Sequence, residues 1–181
     1  MTASLAEPDR VIEASLEDSS SPSIEVQIAS TSAQLPQASQ LQGWAQQALS
    51  IAYASGWSAV PAAAAGLCIR LVDESEGLQL NQSYRNKSQP TNVLSFAADQ
   101  TLAGIDLGPV QPVGDIVLCA PVVEAEAREQ DKQLSAHYAH LVVHGVLHLL
   151  GFDHEEAVAA QDMESKEVAI LRQLGIANPY E

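Results

Sequence analysis

All five histidines of this 181-residue chain fall between residues 137 and 154, and three of them, His144, His148 and His154, stand at a spacing that points to one metal ion. His144 and His148 are four residues apart, so on an α-helix they lie one turn above each other on one face. Gly151 then permits the left-handed backbone that ends a helix. The returning chain can bring up His154 as a third nitrogen. Three nitrogens leave a fourth tetrahedral position open, the pattern of a catalytic rather than a structural zinc. The same donors also suit nickel, copper or iron. His137 and His140, taken singly, read as half-buried polar groups. His140 does share the stripe with His144 and His148, one turn earlier, where it can support their rings.

The spacing matches the metzincin pattern H-E-x-x-H-x-x-G-x-x-H at each histidine and at the glycine. It departs at one position: Gly145 stands where those peptidases carry the glutamate that acts as general base. A glycine cannot take a proton from water, so the pattern predicts the metal scaffold of a zincin without its base. A metallopeptidase with another base and a protein whose metal is purely structural remain the alternative readings.

The rest of the chain supplies a domain around this site. Ile24, Val26 and Ile28 alternate with polar neighbours, as in a half-buried strand. Leu41 to Gly56 reads as a helix with Trp44, Ala48, Ile51 and Ala52 on one face. Further strands are expected at Gly66 to Val72, Val93 to Ala98 and Gly114 to Cys119, with a short helix from Glu74 to Arg85. Asp99 to Pro112, rich in glycine and proline, reads as a long loop. Helices follow at Ala120 to Gln133, Ser135 to Leu150 and Glu155 to Leu174, with Ser135 as a cap and Gly151 and Gly175 as stops. The expected fold class is α+β: a four-stranded mixed sheet packed with about five helices, zincin-like, with the metal-binding helix in the C-terminal half. Residues 1 to 22, with a serine run and several acids but no apolar periodicity, read as a disordered tail, leaving residues 23 to 181 as one hydrolase domain.

Charge and cysteine content narrow the function classes. With 23 acidic residues against 8 basic ones, the formal net charge is −15, which argues against broad binding to a polyanion but leaves room for a small basic site. Cys68 and Cys119 lie far apart in apolar runs and read as buried small hydrophobes. No secretory signal and no membrane span is expected, and a cytoplasmic location follows by default.

The run His144-Gly145-Val146-Leu147-His148-Leu149-Leu150-Gly151-Phe152-Asp153-His154 closely resembles the signature of the YbeY family of bacterial single-strand endoribonucleases. Leu80-Asn81, Tyr84-Arg85-Asn86-Lys87 and Pro90-Thr91-Asn92-Val93-Leu94-Ser95-Phe96 resemble that family's other characteristic block, and Gly114-Asp115-Ile116 its short strand motif. Met163 to Gly175 is similar to its closing helix. Ser88 and Phe152 depart from the family's usual acid and tyrosine. The resemblance covers about residues 24 to 181. It implies a metal-dependent endoribonuclease of rRNA maturation and ribosome quality control, with zinc on His144, His148 and His154. Its partners would be single-stranded RNA and the ribosome or a ribosomal protein, not DNA or a membrane. It also implies that Arg85 lies at the active-site cleft, where a guanidinium can bind a phosphate bidentately. Lys87 reads as a solvated lysine and Asp153 as a structural acceptor. The general base is not named by any residue.

Overall fold

The computed structural model of the protein describes residues 21–59, 61–98 and 111–181. Strand β1 (Ser23–Ile28) leads through helix α1 (Ala38–Ala54) and a 3-10 turn at Ala62–Ala64 into β2 (Ala65–Val72). Helix α2 (Glu74–Arg85) leads to β3 (Val93–Ala97), and β4 (Gln111–Cys119) runs into α3 (Ala120–Glu129), α4 (Leu134–Leu149) and α5 (Ala157–Gln173). The strands form one sheet in the order β1-β2-β4-β3. β1 and β4 flank β2 in parallel, and β3 pairs antiparallel with β4 at the edge. Among the described residues this is the expected α+β architecture of a mixed four-stranded sheet and five helices.

Successive strand residues point to opposite faces, and the sequence uses both. Leu67, Ile69, Leu71, Ile116 and Leu118 face the main core, where they meet apolar residues of α1, α4 and α5. Val72, Leu94, Val117 and Cys119 face the other way and pack with Leu80 of α2 and Val122 of α3. Cys68 and Cys119 are both free thiols.

Helix α4 lies at the centre, against β3, β4, α1, α3 and α5. A helix that is apolar nearly all round has to be buried on nearly every side. From His137 to Leu149 every residue is buried except His140, His144 and His148. Beyond its first turn, the histidine stripe is therefore the open line on this helix. Gly145 sets how closely α4 meets the sheet. A Cβ there would stand 2.8, 3.0 and 3.1 Å from Cδ1, Cγ1 and Cγ2 of Ile116, which is itself fully buried. The absent zincin glutamate thus has a steric reason: this position faces the sheet, not the histidines.

Several boundaries differ from expectation, and three of them have a clear local reason. Gln111 and Pro112 belong to β4, not to a loop. Pro112 pairs with Gly66 of β2 but lies past the end of β3, whose last partner is Gly114, so its missing N–H breaks no second ladder. Helix α3 stops at Glu129, because Asp131 adopts left-handed backbone (φ 51°) and Lys132 N–H turns back to the Ala127 carbonyl. Helix α4 begins at Leu134 with Gln133 extended before it, so Ser135 is inside the first turn and caps nothing. The expected tail at residues 1–22 and the expected loop from residue 99 lie almost wholly outside the described residues.

Candidate metal centre

The two helix histidines are each fixed from behind. His144 Nδ1 lies 2.6 Å from Glu167 Oε1, and His148 Nδ1 lies 3.0 Å from the Phe152 carbonyl oxygen. A carboxylate and a carbonyl only accept, so each Nδ1 carries its ring's proton, and each neutral ring keeps a lone pair on Nε2. Those two Nε2 atoms face each other at 3.0 Å. Two lone pairs at that distance repel unless a cation lies between them. Four-coordinate zinc, with Zn–N bonds of about 2.0–2.1 Å, sets ligand nitrogens about 3.3 Å apart, so the pair fits such an ion.

His154 comes from the loop between α4 and α5. After Leu150 the chain turns at Gly151 (φ 93°), and the Phe152 N–H returns to the Leu147 carbonyl. Only a residue without a Cβ enters that backbone region at no steric cost. The turn serves twice, since it also delivers the Phe152 carbonyl to His148. The His154 ring centroid lies 5.4 Å from that of His144 and 4.9 Å from that of His148. One nitrogen from each of His144, His148 and His154 falls within 4.8 Å of the others, so the three form a group able to hold a metal ion. Asp153 is a structural acceptor, as expected: its Oδ1 takes the His154 N–H at 2.7 Å. Burial, followed by the neighbouring His144 and His154, holds His148 below the ordinary imidazole range and so keeps it neutral and able to ligate.

Glu167 was not anticipated from the sequence as a partner of the site. Its side chain is 1% exposed, and its two oxygens are divided between His144 (Oε1) and His140 (Oε2, 3.3 Å). Burial alone would raise this carboxyl. Hydrogen bonds from His140, His144 and Tyr180 outweigh burial and bring it down to about 2. A signal was present: Met163, Glu167, Ile170 and Leu171 are the buried residues of α5, and an acid within such a stripe needs a partner. His140 and His144 also form with Glu167 a second group of metal-ligating atoms. His137 turns elsewhere, to Glu126 Oε2 at 2.8 Å.

The upstream block organises the sheet edge. Asn81 is buried and donates to the Gln89 carbonyl at 2.6 Å, which pins the loop that follows Arg85. Asn92 donates to both oxygens of Glu126, and its own Oδ1 accepts the Val93 N–H. Ser95 Oγ lies 3.4 Å from the Gly145 carbonyl, on the α4 side of β3. Its neighbour Phe96 points to the α2 side and meets the Tyr84 ring edge-on, with centroids 4.9 Å apart. Arg85, the last residue of α2, is exposed, and no hydrogen bond or ion pair joins its side chain to another described residue. The structure thus gathers the three histidines and leaves Arg85 across the edge strand from them. Lys87 is exposed, as expected.

A histidine-bearing core helix laid against a mixed sheet, with a glycine turn returning a third histidine, defines an α+β protein built around one imidazole cluster. The model of the family described as Endoribonuclease YbeY matches residues 25–175, and the chain belongs to that family. It is 48% identical over 168 residues to an Endoribonuclease YbeY of Alkalilimnicola ehrlichii, covering 92% of this chain and 96% of that one. It is 58% identical over 117 residues to one of Stenotrophomonas maltophilia, covering 64% and 72%. Among solved structures, the solution structure of TM1509 from Thermotoga maritima shares the fold, with a TM-score of 0.51 at 21% identity over 87% of this chain and 99% of that one. No helix among the described residues is long and apolar enough to cross a membrane.

Proposed function

We propose that residues 23–181 form one metal-dependent endoribonuclease domain that cuts single-stranded RNA during ribosomal RNA maturation in the cytoplasm, with one zinc ion on His144, His148 and His154. The observation that carries the metal reading is the pair of Nε2 lone pairs facing each other at 3.0 Å, each ring oriented by an acceptor at its Nδ1. Zinc bound there supplies a Lewis acid for a phosphodiester oxygen and lowers the pKa of a bound water. Glu167 and the Phe152 carbonyl hold the ligand rings in place. Arg85 is free to fork onto a phosphate of a strand lying across β3 and to stabilise charge developing on it. Glu167 is enclosed by its donors, which weighs against its acting as a base. The Gly145 contact with Ile116 weighs against a zincin peptidase. Docking on the ribosome or a ribosomal protein would bring the acidic chain to its RNA.

The test is metal analysis and cleavage of a single-stranded RNA with wild type, His154→Ala and Arg85→Ala. His154→Ala is expected to lose both zinc and cleavage. Arg85→Ala is expected to keep full zinc occupancy and lose about 10²–10³-fold in cleavage rate, the scale of one removed charge-stabilising donor. Full cleavage by the zinc-free protein would overturn the proposal.

A further inference from the structure

The segment that follows α5 doubles back onto the candidate metal centre. After Gly175 (φ 73°), the Ile176 N–H returns to the Leu171 carbonyl, and Ile176 packs against the main core. The Lys132 ammonium donates to the Pro179 carbonyl at 3.0 Å, and the Tyr180 N–H donates to Asn178 Oδ1 at 3.1 Å. These bonds fix the direction in which Tyr180 leaves the backbone. Its hydroxyl donates to Glu167 Oε2 and lies 3.4 Å from His140 Nε2, while its ring stands edge-on to His140 with centroids 5.6 Å apart. Tyr180 lies five residues past the last one matched by the family model.

We propose that Tyr180 is a positioning residue of the metal centre, acting through Glu167 on His144. The inference rests on the reading of His144 as a metal ligand. A carboxylate held at one oxygen can still rotate about its own bonds. Here Oε1 takes the His144 Nδ1–H, and Oε2 is pinned by His140 from α4 and by Tyr180 from the segment after α5. Donors from two separate elements fix the carboxylate plane, and that plane sets the tilt of the His144 ring and the direction of its Nε2. Partners of this kind behind a metal-binding histidine contribute to metal affinity through orientation and ligand basicity. Burial and the Glu167 charge push the Tyr180 phenol well above its ordinary range, so the hydroxyl stays a donor at neutral pH. The residue is nevertheless 47% exposed. The hydroxyl and the ring edge against His140 are engaged at the site, while the rest of the side chain is open to solvent.

The experiment measures zinc affinity of the full chain by competition with a chromophoric chelator, for wild type, Tyr180→Phe, Glu167→Gln and the double variant, beside thermal melts of each metal-free protein. Tyr180→Phe keeps the ring and removes only the hydroxyl. It is expected to weaken zinc binding by about three- to tenfold, below the 10–100-fold of a direct ligand partner because it is one bond further out. Its metal-free melting temperature should fall by no more than the loss of one hydrogen bond accounts for, and it should add no further loss of zinc affinity in the Glu167→Gln background. Wild-type affinity in Tyr180→Phe would overturn the inference, as would an equal further loss in the Glu167→Gln background. A wild-type protein that binds no zinc would instead overturn the metal reading on which the inference stands.

Discussion

At the scale of single residues, Gly145 separates this site from the peptidase pattern that it otherwise follows. It adjoins His144 in sequence but points about 100° further round the helix, straight at Ile116. Alanine normally stabilises a helix interior over glycine by about 1 kcal/mol. Here the added methyl would overlap three atoms of a fully buried isoleucine, and overpacking of that kind costs about 1–3 kcal/mol. Gly145→Ala is therefore expected to destabilise the protein by up to about 2 kcal/mol net, against the propensity rule. Shortening the opposing side chain should relieve it, because Ile116→Val removes Cδ1, the atom at 2.8 Å. Urea unfolding of the two single variants and the double variant checks this, and additive losses, or an alanine variant more stable than wild type, would refute it. The same geometry means that a glutamate at 145 would not restore a zincin base, since its side chain would start into the sheet. The glycine itself was legible in the sequence as a missing base. Its packing role was not, because nothing local reveals that β4 passes beneath that turn of α4.

At the scale of elements, the edge strand is latched to the histidine helix through Glu126. This carboxylate of α3 receives Asn92 from the start of β3 and His137 from α4. Burial raises its carboxyl, but the bonds from His137 and Asn92 outweigh burial and hold it below its ordinary value of 4.5. The folded-state value is thus depressed relative to the unfolded chain. The stabilisation is fully present above pH 4.5 and is lost as pH falls through the lowered value. Glu126→Gln should be less stable than wild type by about 1–2 kcal/mol near pH 7, the scale of a charge-assisted hydrogen bond. That gap should narrow as the pH is taken from 5 down to 3. Melting temperatures of both proteins across that range decide it, and a gap that stays constant would sink the latch. The elements themselves were largely readable, because period-two and helical apolar patterns are local. Errors fell where tertiary context overrides local signals. Pro112 is tolerated in β4 because β3 has already ended, and Asp131 cuts α3 short by a left-handed turn. Within the site, the histidine spacing is a local signal, whereas Glu167 acquires its role only when α5 packs across α4.

At the scale of the whole molecule, the question is how a chain of net charge −15 holds a polyanion. Few cations are free to do it. Among the described residues, Arg70 is engaged by Glu76 and Gln27, Arg128 by the Glu124 carbonyl, Lys132 by the Pro179 carbonyl and Lys166 by Asp162. Arg85, Lys87 and Arg172 are exposed and form no such bond, and of these Arg85 and Lys87 both lie at the C-terminal end of α2 whereas Arg172 lies in the last turn of α5. For single strands the affinity falls with a log–log salt slope of about −0.7 per phosphate neutralised. Two contacts therefore predict a slope of about −1.4, and screening of the long-range repulsion from the acidic surface makes it shallower still. A basic nucleic-acid binder with six or more contacts would show a slope of about −4 or steeper. The measurement is kcat/KM on a short single-stranded RNA at subsaturating concentration, between about 50 and 200 mM monovalent salt, the span over which such effects are pronounced. A loss of no more than about sevenfold over that fourfold range is expected for wild type, and a smaller one for Lys87→Ala. A steep loss would mean that cations beyond Arg85 and Lys87 contact the strand. A shallow slope places selectivity in two short-range features, the histidine cluster and the Arg85 end of α2. It also makes productive encounter depend on RNA being delivered to them, which an acidic protein achieves by docking beside its substrate and not by capturing RNA from solution.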